Sequence, residues 1–227
     1  MNESSATKFT YAIADLHGRF DLVERAFAEI AKHAAGHRFK IVTLGDYVDR
    51  GPASRQVVEF LMNAQQCGDV ICLKGNHEDM MVGAIKGDYE SDWWISNGGG
   101  TTMASYGEQP PKSHIEWMER LPLSYTDGKR IFVHAGVDPT LPMSEQTEQN
   151  LVWSRVGKKI NYSHPEGFVV HGHTPFEDGP IVLLGRANMD TGAVWTGRLV
   201  IAVFDNAKDG GPVEMIEINH SHPDPRG

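Results

Sequence analysis

An α/β chain with two mixed β-sheets packed together in one domain and flanked by helices is the fold class this sequence predicts, and three observations predict it. Strand-like apolar runs alternate with helical periodicity through the first two-thirds of the chain. Polar, glycine-bearing loops follow each of the first three apolar runs. The last third changes to short β-rich runs separated by Gly, Pro and Asp. At 227 residues the chain is the size of one ordinary domain, long enough to bury a core.

TYAIA predicts a first strand, and Leu22/Val23, Ala26/Phe27 and Ile30/Ala31 recur at helical spacing after it, with Asp21 and Glu24 reading as a capping box. FKIVTL predicts the second strand, Val57/Val58 and Leu61/Met62 the second helix, and VICL the third strand, all in parallel pairing. The loops ADLHG, GDYVDRGP and KGNHED then leave one edge of one sheet, where ligands bind in open α/β sheets. Residues 86–122 carry Trp93, Trp94, Asn97, the glycine triplet 98–100 and a second capping box at Ser113–Glu116, which reads as a cap-like segment of small helices over the site. KRIFVHAG, GFVVHGH, PIVLLG, ANMDTGAV, RLVIAVFD and PVEMIEI predict a second, largely antiparallel or mixed sheet. No Pro- or Ser-rich linker separates the two, so residues 1–219 read as a single domain and 220–227 as a flexible tail.

The composition, 40% hydrophobic and 22% charged, excludes wholesale disorder. A formal charge of −9 leaves no basic field for a nucleic-acid polymer or an anionic membrane, so attraction for an anionic substrate must be local. The N-terminus lacks the basic start and apolar core of a signal peptide, and no window approaches the roughly twenty apolar residues of a bilayer span. A cytoplasmic protein with no obligate protein partner is the expectation. Cys67 and Cys72 read as reduced thiols, with Cys72 in the core.

Five segments put metal-ligand or acid–base side chains beside glycine: Asp15-Leu16-His17-Gly18, Gly45-Asp46-Tyr47-Val48-Asp49-Arg50-Gly51, Gly75-Asn76-His77-Glu78, His134-Ala135-Gly136 and His171-Gly172-His173-Thr174. Carboxylate with imidazole suits Mn, Fe or Zn, and a single Asp-x-His is weak evidence. Five such segments at successive strand ends are not weak, because unrelated turns do not supply five histidines, three aspartates and an asparagine in series.

In order, these segments resemble the signature of the calcineurin-like metallophosphoesterases, and GDYVDRG with GNHE resembles their phosphoprotein phosphatase branch. DWWISNGGG, LVWSR and MDTGAVWTG are similar to segments of small bacterial and bacteriophage-type serine/threonine phosphatases. The likeness spans positions 14 to 197, about four-fifths of the chain. Ala14 and Ala135 stand where the pattern has Gly, and both are small. The resemblance implies a four-layer αββα fold and two divalent ions, Mn²⁺ first, with Fe or Zn²⁺ as alternatives; the donors make a poor Ca²⁺ cage.

By the resemblance, Asp46 bridges the two ions, Asp15 and His17 complete the first, and Asn76, His134 and His171 complete the second. A bridging hydroxide would attack phosphorus in line. Arg50 and Arg155 would clamp the phosphate with their guanidinium forks, and Asn76 would also face the substrate. His77, oriented by Asp49, would protonate the leaving group. His173 reads as a hydrogen-bonded structural residue, and Asp190 as a support for the metal loops. The expected substrate is phosphoserine or phosphothreonine in a protein or peptide, with phosphotyrosine a further candidate. The alternative is a symmetrical bis(5′-nucleosyl)-tetraphosphatase or another nucleotide hydrolase; such enzymes commonly read Val-Ala-Arg-Gly where this chain has Val48-Asp49-Arg50-Gly51. A non-catalytic scaffold is the remote alternative.

Overall fold

Every residue of Phe9–Ile13 (β1) after the first is buried, and alternate side chains go to different cores. Tyr11 and Ile13 face a helical layer, whereas Ala12 and Ala14 face a second sheet. A computed structural model describes residues 6–219, so the tail expected at 220–227 lies outside the described residues.

From β1 the chain runs through α1 (Phe20–Ala34), β2 (Phe39–Thr43), α2 (Ser54–Gln66), β3 (Val70–Cys72) and α3 (Asn76–Lys86). Four helical segments follow: α4 (Ser91–Trp94), a wide turn at Ile95–Gly99, α5 (Gly100–Tyr106) and α6 (Lys112–Glu119). Next come β4 (Ser124–Thr126), β5 (Arg130–Val133), β6 (Phe168–His171), β7 (Ile181–Val182), β8 (Arg186–Asn188), α7 (Ala193–Thr196), β9 (Arg198–Asp205) and β10 (Glu214–Asn219). The first sheet has the order β10-β9-β1-β2-β3, with β1–β2 and β2–β3 parallel as the alternating pattern predicts. The second has the order β4-β5-β6-β8-β7 and is mixed, with β5–β6 and β6–β8 parallel between antiparallel edges.

RLVIAVFD and PVEMIEI do not belong to the second sheet as expected from sequence. They return to the first, β9 pairing antiparallel with β1 and β10 with β9. The reason lies in β9, whose interior is buried on both faces: Leu199, Ile201 and Val203 join the helical core, while Val200, Ala202 and Phe204 join the core between the sheets. Each of the larger side chains contributes about 1.5–3 kcal/mol by leaving water, so a strand apolar on both faces is most stable in the middle of a stack. Between the sheets Phe132 of β5 meets Phe204 edge-on with ring centroids 5.7 Å apart.

The two expected capping boxes do not form. Helix α1 begins one residue before Asp21, whose carboxylate is held by Arg19, and α6 begins at Lys112, placing Ser113 inside the helix while Glu116 pairs with Lys112. Cys72 is buried and Cys67 exposed, both free. His114 and His164, which lack any patterned partner in the sequence, are buried and bonded to Tyr106 and to the Leu141 carbonyl. No helix among the described residues is long and apolar enough to cross a membrane.

Candidate metal centre

Among the described residues, six of the seven non-glycine residues with positive φ lie in the predicted motifs: Asp15, His17, Asp46, Asp49, Arg50 and His173. The seventh, Ala35, ends α1. Left-handed backbone costs a non-glycine residue of order 1–3 kcal/mol and persists where the surroundings over-determine it. Here the loops after β1 and β2 are laced together, with His17 N–H donating to the Asp46 carbonyl at 2.8 Å and Gly18 N–H to that of Tyr47 at 2.8 Å. Glu78 holds the loops after β2 and β3: its carboxylate accepts from the N–H groups of Asp46 (2.9 Å), Tyr47 (2.7 Å) and Gly75 (2.9 Å). Gly75 passes so close to Asp46 that a Cβ there would collide with Oδ1.

Two groups of donors result, and Asp46 is common to both. His17, Asp46 and His77 offer ligand atoms within 4.8 Å of one another, and so do Asp46, His134 and His173. His134 donates its Nδ1–H to the Leu44 carbonyl (2.7 Å), and His17 its own to the Val48 carbonyl (2.9 Å), which leaves each Nε2 with a lone pair facing the cleft. His134 Nε2 lies 3.0 Å from Asn76 Oδ1, 3.1 Å from His173 Nδ1 and 3.4 Å from Asp46 Oδ1. Oxygen and imidazole lone pairs this close repel one another, and a cation among them converts the repulsion into attraction. The donor set therefore fits a divalent transition metal of the Mn, Fe or Zn kind.

The electrostatics agree. Burial holds the imidazoles of His17 and His134 below the ordinary histidine range and takes His173 to about 3, which favours the neutral form in which histidine binds a metal. Burial opposes ionisation of Asp46, but His134, His77 and His17 overcome it and hold the carboxyl below its usual range. Asp15 is raised well above that range by burial, then by Asp190 and Asp46. Asp190 is pushed up to about 7 chiefly by burial, against the N–H of Gly192. An ionised Asp46 beside two carboxyl groups whose charge it disfavours is a cluster that a cation relieves.

His171 is not where the sequence reading put it. Strand β6 ends at His171, whose Nε2 meets Arg186 Nη1 at 3.0 Å and whose Nδ1 meets the Gly172 carbonyl at 3.1 Å, so both nitrogens are engaged away from the ligands. Gly172 then passes against Asp15, where a Cβ would strike Oδ2. The chain turns left-handed at His173 (φ 68°), whose N–H donates to both Asp15 oxygens and whose ring enters the Asp46–Asn76–His134 group. In the place where the sequence puts His171, the structure brings His173 to Asp46 and His134. An extended His171-Gly172-His173 would put both rings on one side, and nothing in residue identity shows the turn.

His77 differs from the other histidines. Its Nδ1 is 2.6 Å from Asp49 Oδ2, its Nε2 stays 3.9 Å from Asp46 Oδ2, and its N–H donates to Asp46 Oδ1 at 3.1 Å. Burial pulls its pKa down, but Asp46 and Asp49 more than reverse this, so it is raised. Asp49 is inaccessible to solvent and fully engaged: Trp94 Nε1 lies 3.0 Å from both oxygens and Thr102 Oγ1 donates to Oδ1 at 2.7 Å. Trp94 and Thr102 come from the helices of 86–122; Thr102 carries no motif signal, while Trp94 lies in DWWISNGGG and Glu78 in the Gly75–Glu78 motif without sequence reading assigning a role to either.

A cavity of about 170 Å³ opens over this centre, lined by Asp46, Asn76, His77 and His173 and flanked by Arg50 and Arg155. Both arginines are exposed at its mouth, and Arg50 Nη1 also reaches His17 Nε2 at 2.7 Å. Trp153 walls one side, stacked on exposed Trp93 with ring centroids 5.8 Å apart. The volume lies below the roughly 300–1,000 Å³ that encloses a drug-sized ligand, which suits a phosphoryl-sized group.

A sequence model of the family described as calcineurin-like phosphoesterase matches residues 10–205. The chain is 27% identical over 220 residues, 82% of its own length and 86% of the relative's, to the asymmetrical bis(5′-nucleosyl)-tetraphosphatase PrpE of Anoxybacillus flavithermus. It is 26% identical over 214 residues, 88% of this chain and 94% of the relative, to serine/threonine-protein phosphatase 1 of Salmonella typhimurium. In fold it is similar to a crystal structure described as a candidate diadenosine tetraphosphatase, with a TM-score of 0.68, 19% identity and 96% of each chain covered.

Proposed function

The chain belongs to the calcineurin-like phosphoesterase family, and from that premise we propose that it is a metal-dependent phosphomonoesterase acting on phosphoserine and phosphothreonine in proteins. The observation that carries the proposal is the His77–Asp49 pair, 2.6 Å apart and buried. A serine or threonine alkoxide is a poor leaving group and needs a proton as the P–O bond breaks, whereas a nucleotide leaves as an already stabilised phosphate anion. An imidazole with a raised pKa, held by a carboxylate that Trp94 and Thr102 fix in turn, is the apparatus for the harder departure.

In this reading Asp15, His17 and Asp46 would hold one divalent ion, and Asp46, Asn76, His134 and His173 the other. Bound there, the ions supply Lewis acidity toward phosphoryl oxygens and acidify water. Arg50 and Arg155 draw the phosphate dianion to the cavity mouth and orient it through paired N–H donors, which is how a chain of charge −9 attracts an anion. His77 Nε2, on the cavity wall, delivers the proton to the leaving oxygen, and Asp49 stabilises the imidazole while it carries it.

The similarity to bis(5′-nucleosyl)-tetraphosphatases favours a second reading, hydrolysis of dinucleoside polyphosphates. The two readings part in one experiment: kcat/KM for a phosphoserine peptide and for diadenosine tetraphosphate, measured side by side on protein stripped with chelator and reloaded with Mn²⁺. The phosphopeptide should be preferred at least tenfold, with both activities lost on stripping. Preference for the dinucleotide would replace the first reading by the second, and activity indifferent to stripping would sink both.

A further inference from the structure

Beside the catalytic cavity lies a larger one of about 560 Å³ that the hydrolytic chemistry does not use. The two share Arg50 and Trp195, so a substrate whose phosphoryl group rests against Arg50 continues directly into the larger space. Phe20 and Pro52 face it from the starts of α1 and α2, and Val194 and Trp195 from α7. This is an apolar lining large enough for a side chain with its backbone.

Its charges are not equivalent. Arg19 grips Asp21 with two prongs, Nε to Oδ1 at 2.9 Å and Nη2 to Oδ2 at 2.8 Å, and gives Nη1 to the carbonyls of Ala193 (2.9 Å) and Val194 (3.3 Å). Arg19 thus joins α1 to α7, offsets Asp21 and has little left to offer a ligand. Glu24, one turn along α1, is exposed and forms no ion pair among the described residues, so it sets the sign of the cavity away from Arg50.

That sign selects the occupant. A polyphosphate continuing past Arg50 would meet the Glu24 carboxylate without a spare cation, whereas a peptide can place an apolar side chain on the wall and a basic one toward Glu24. We propose that this cavity is a specificity subsite for the residues flanking the phosphorylated one, an apolar side chain seated between Phe20 and Trp195 and a lysine or arginine facing Glu24. The inference rests on the phosphoprotein reading above and names the sequence class of its substrates.

The test compares two phosphoserine peptides on one enzyme, the first with leucine and lysine on both flanks and the second with alanine and glutamate. The wild type should favour the first by on the order of tenfold or more in kcat/KM, mainly through KM, from apolar burial and charge. In Glu24→Lys the ratio should fall severalfold, with Glu24→Gln in between. Because each ratio is taken within one variant, a general loss of activity cancels. Equal turnover of the two peptides by the wild type, or a ratio unmoved in Glu24→Lys, overturns the subsite and leaves the phosphatase reading standing. A wild type that hydrolyses p-nitrophenyl phosphate but neither peptide overturns both, and a gain on diadenosine tetraphosphate with an unmoved peptide ratio in Glu24→Lys assigns the cavity to a polyphosphate instead.

Discussion

The half of the centre carried by the first sheet and the half carried by the second are held by buried groups of opposite charge. Below the loops after β2 and β3 sits Glu78, an acceptor for four converging N–H groups, its pKa pushed up to about 7 by burial and by Asp46. Below the loop that carries Arg155 sits Arg186, a guanidinium with no solvent exposure. It donates to the carbonyls of Ile160 (2.6 Å) and Gly157 (2.8 Å) and meets His171 Nε2 at 3.0 Å. A loop that turns its N–H groups inward needs acceptors beneath it, which Glu78 supplies, and one that turns its carbonyls inward needs donors, which Arg186 supplies. Glu78 lies inside Gly75-Asn76-His77-Glu78, where a motif marks it, whereas Arg186 opens β8 with no pattern around it.

The sharpest way to break the comparison is at the two histidines of the second half. His173→Ala removes a ring from the Asp46–Asn76–His134 group, and activity should fall by roughly 10³-fold, the several kcal/mol that a correctly held metal is worth. Metal bound per chain, measured by elemental analysis, should fall with it. His171→Ala should keep its metal and lose about 1–3 kcal/mol of stability in urea unfolding, because an Arg186 donor is left buried without its partner. The reverse pattern would restore His171 as the ligand.

A smaller effect tests whether the first half manages the proton. In His77→Asn, kcat for an alkyl phosphate should drop on the order of 10²-fold or more, within the range of general acid catalysis, and that for p-nitrophenyl phosphate much less, because nitrophenolate departs without a proton. Equal losses on the two esters would take His77 out of the acid role and leave it beside Asp46 as a further ligand.

These contrasts also measure what the amino-acid sequence revealed. The strand ends of the first sheet were legible because each motif follows a parallel βα unit, so Asp15, His17, Asp46, Asn76 and His77 inherit their placement from simple periodicity. The second half defeated the same logic twice. Period-two alternation places His171 and His173 on one side, and the left-handed residue after Gly172 sends them apart. Likewise β9 and β10 read as members of the second sheet because they follow its strands in sequence, although burial on both faces draws β9 next to β1. Trp94 and Thr102, which fix Asp49 from 45 and 53 residues away, reflect long-range packing that no local pattern encodes.

The smallest expected effect isolates the second half alone. Arg186→Met keeps an unbranched chain of similar length but removes the donors for the Gly157 and Ile160 carbonyls and the contact to His171, so the segment that begins at Arg155 loses its inner anchor. In the proposed reading Arg155 would face the substrate phosphate from the cavity mouth, and a clamp that wanders weakens ground-state binding more than chemistry. KM should therefore rise about tenfold, the lower end of the effect of losing a residue that orients a site, with kcat changed less and metal content held. Arg186→Lys should recover little, since an ammonium cannot span three acceptors that a guanidinium fork reaches at once. Were kcat and metal content to fall instead while KM stayed fixed, Arg186 would act through His171 on the Gly172–His173 turn, and the two halves would be joined beneath the metals rather than at the substrate.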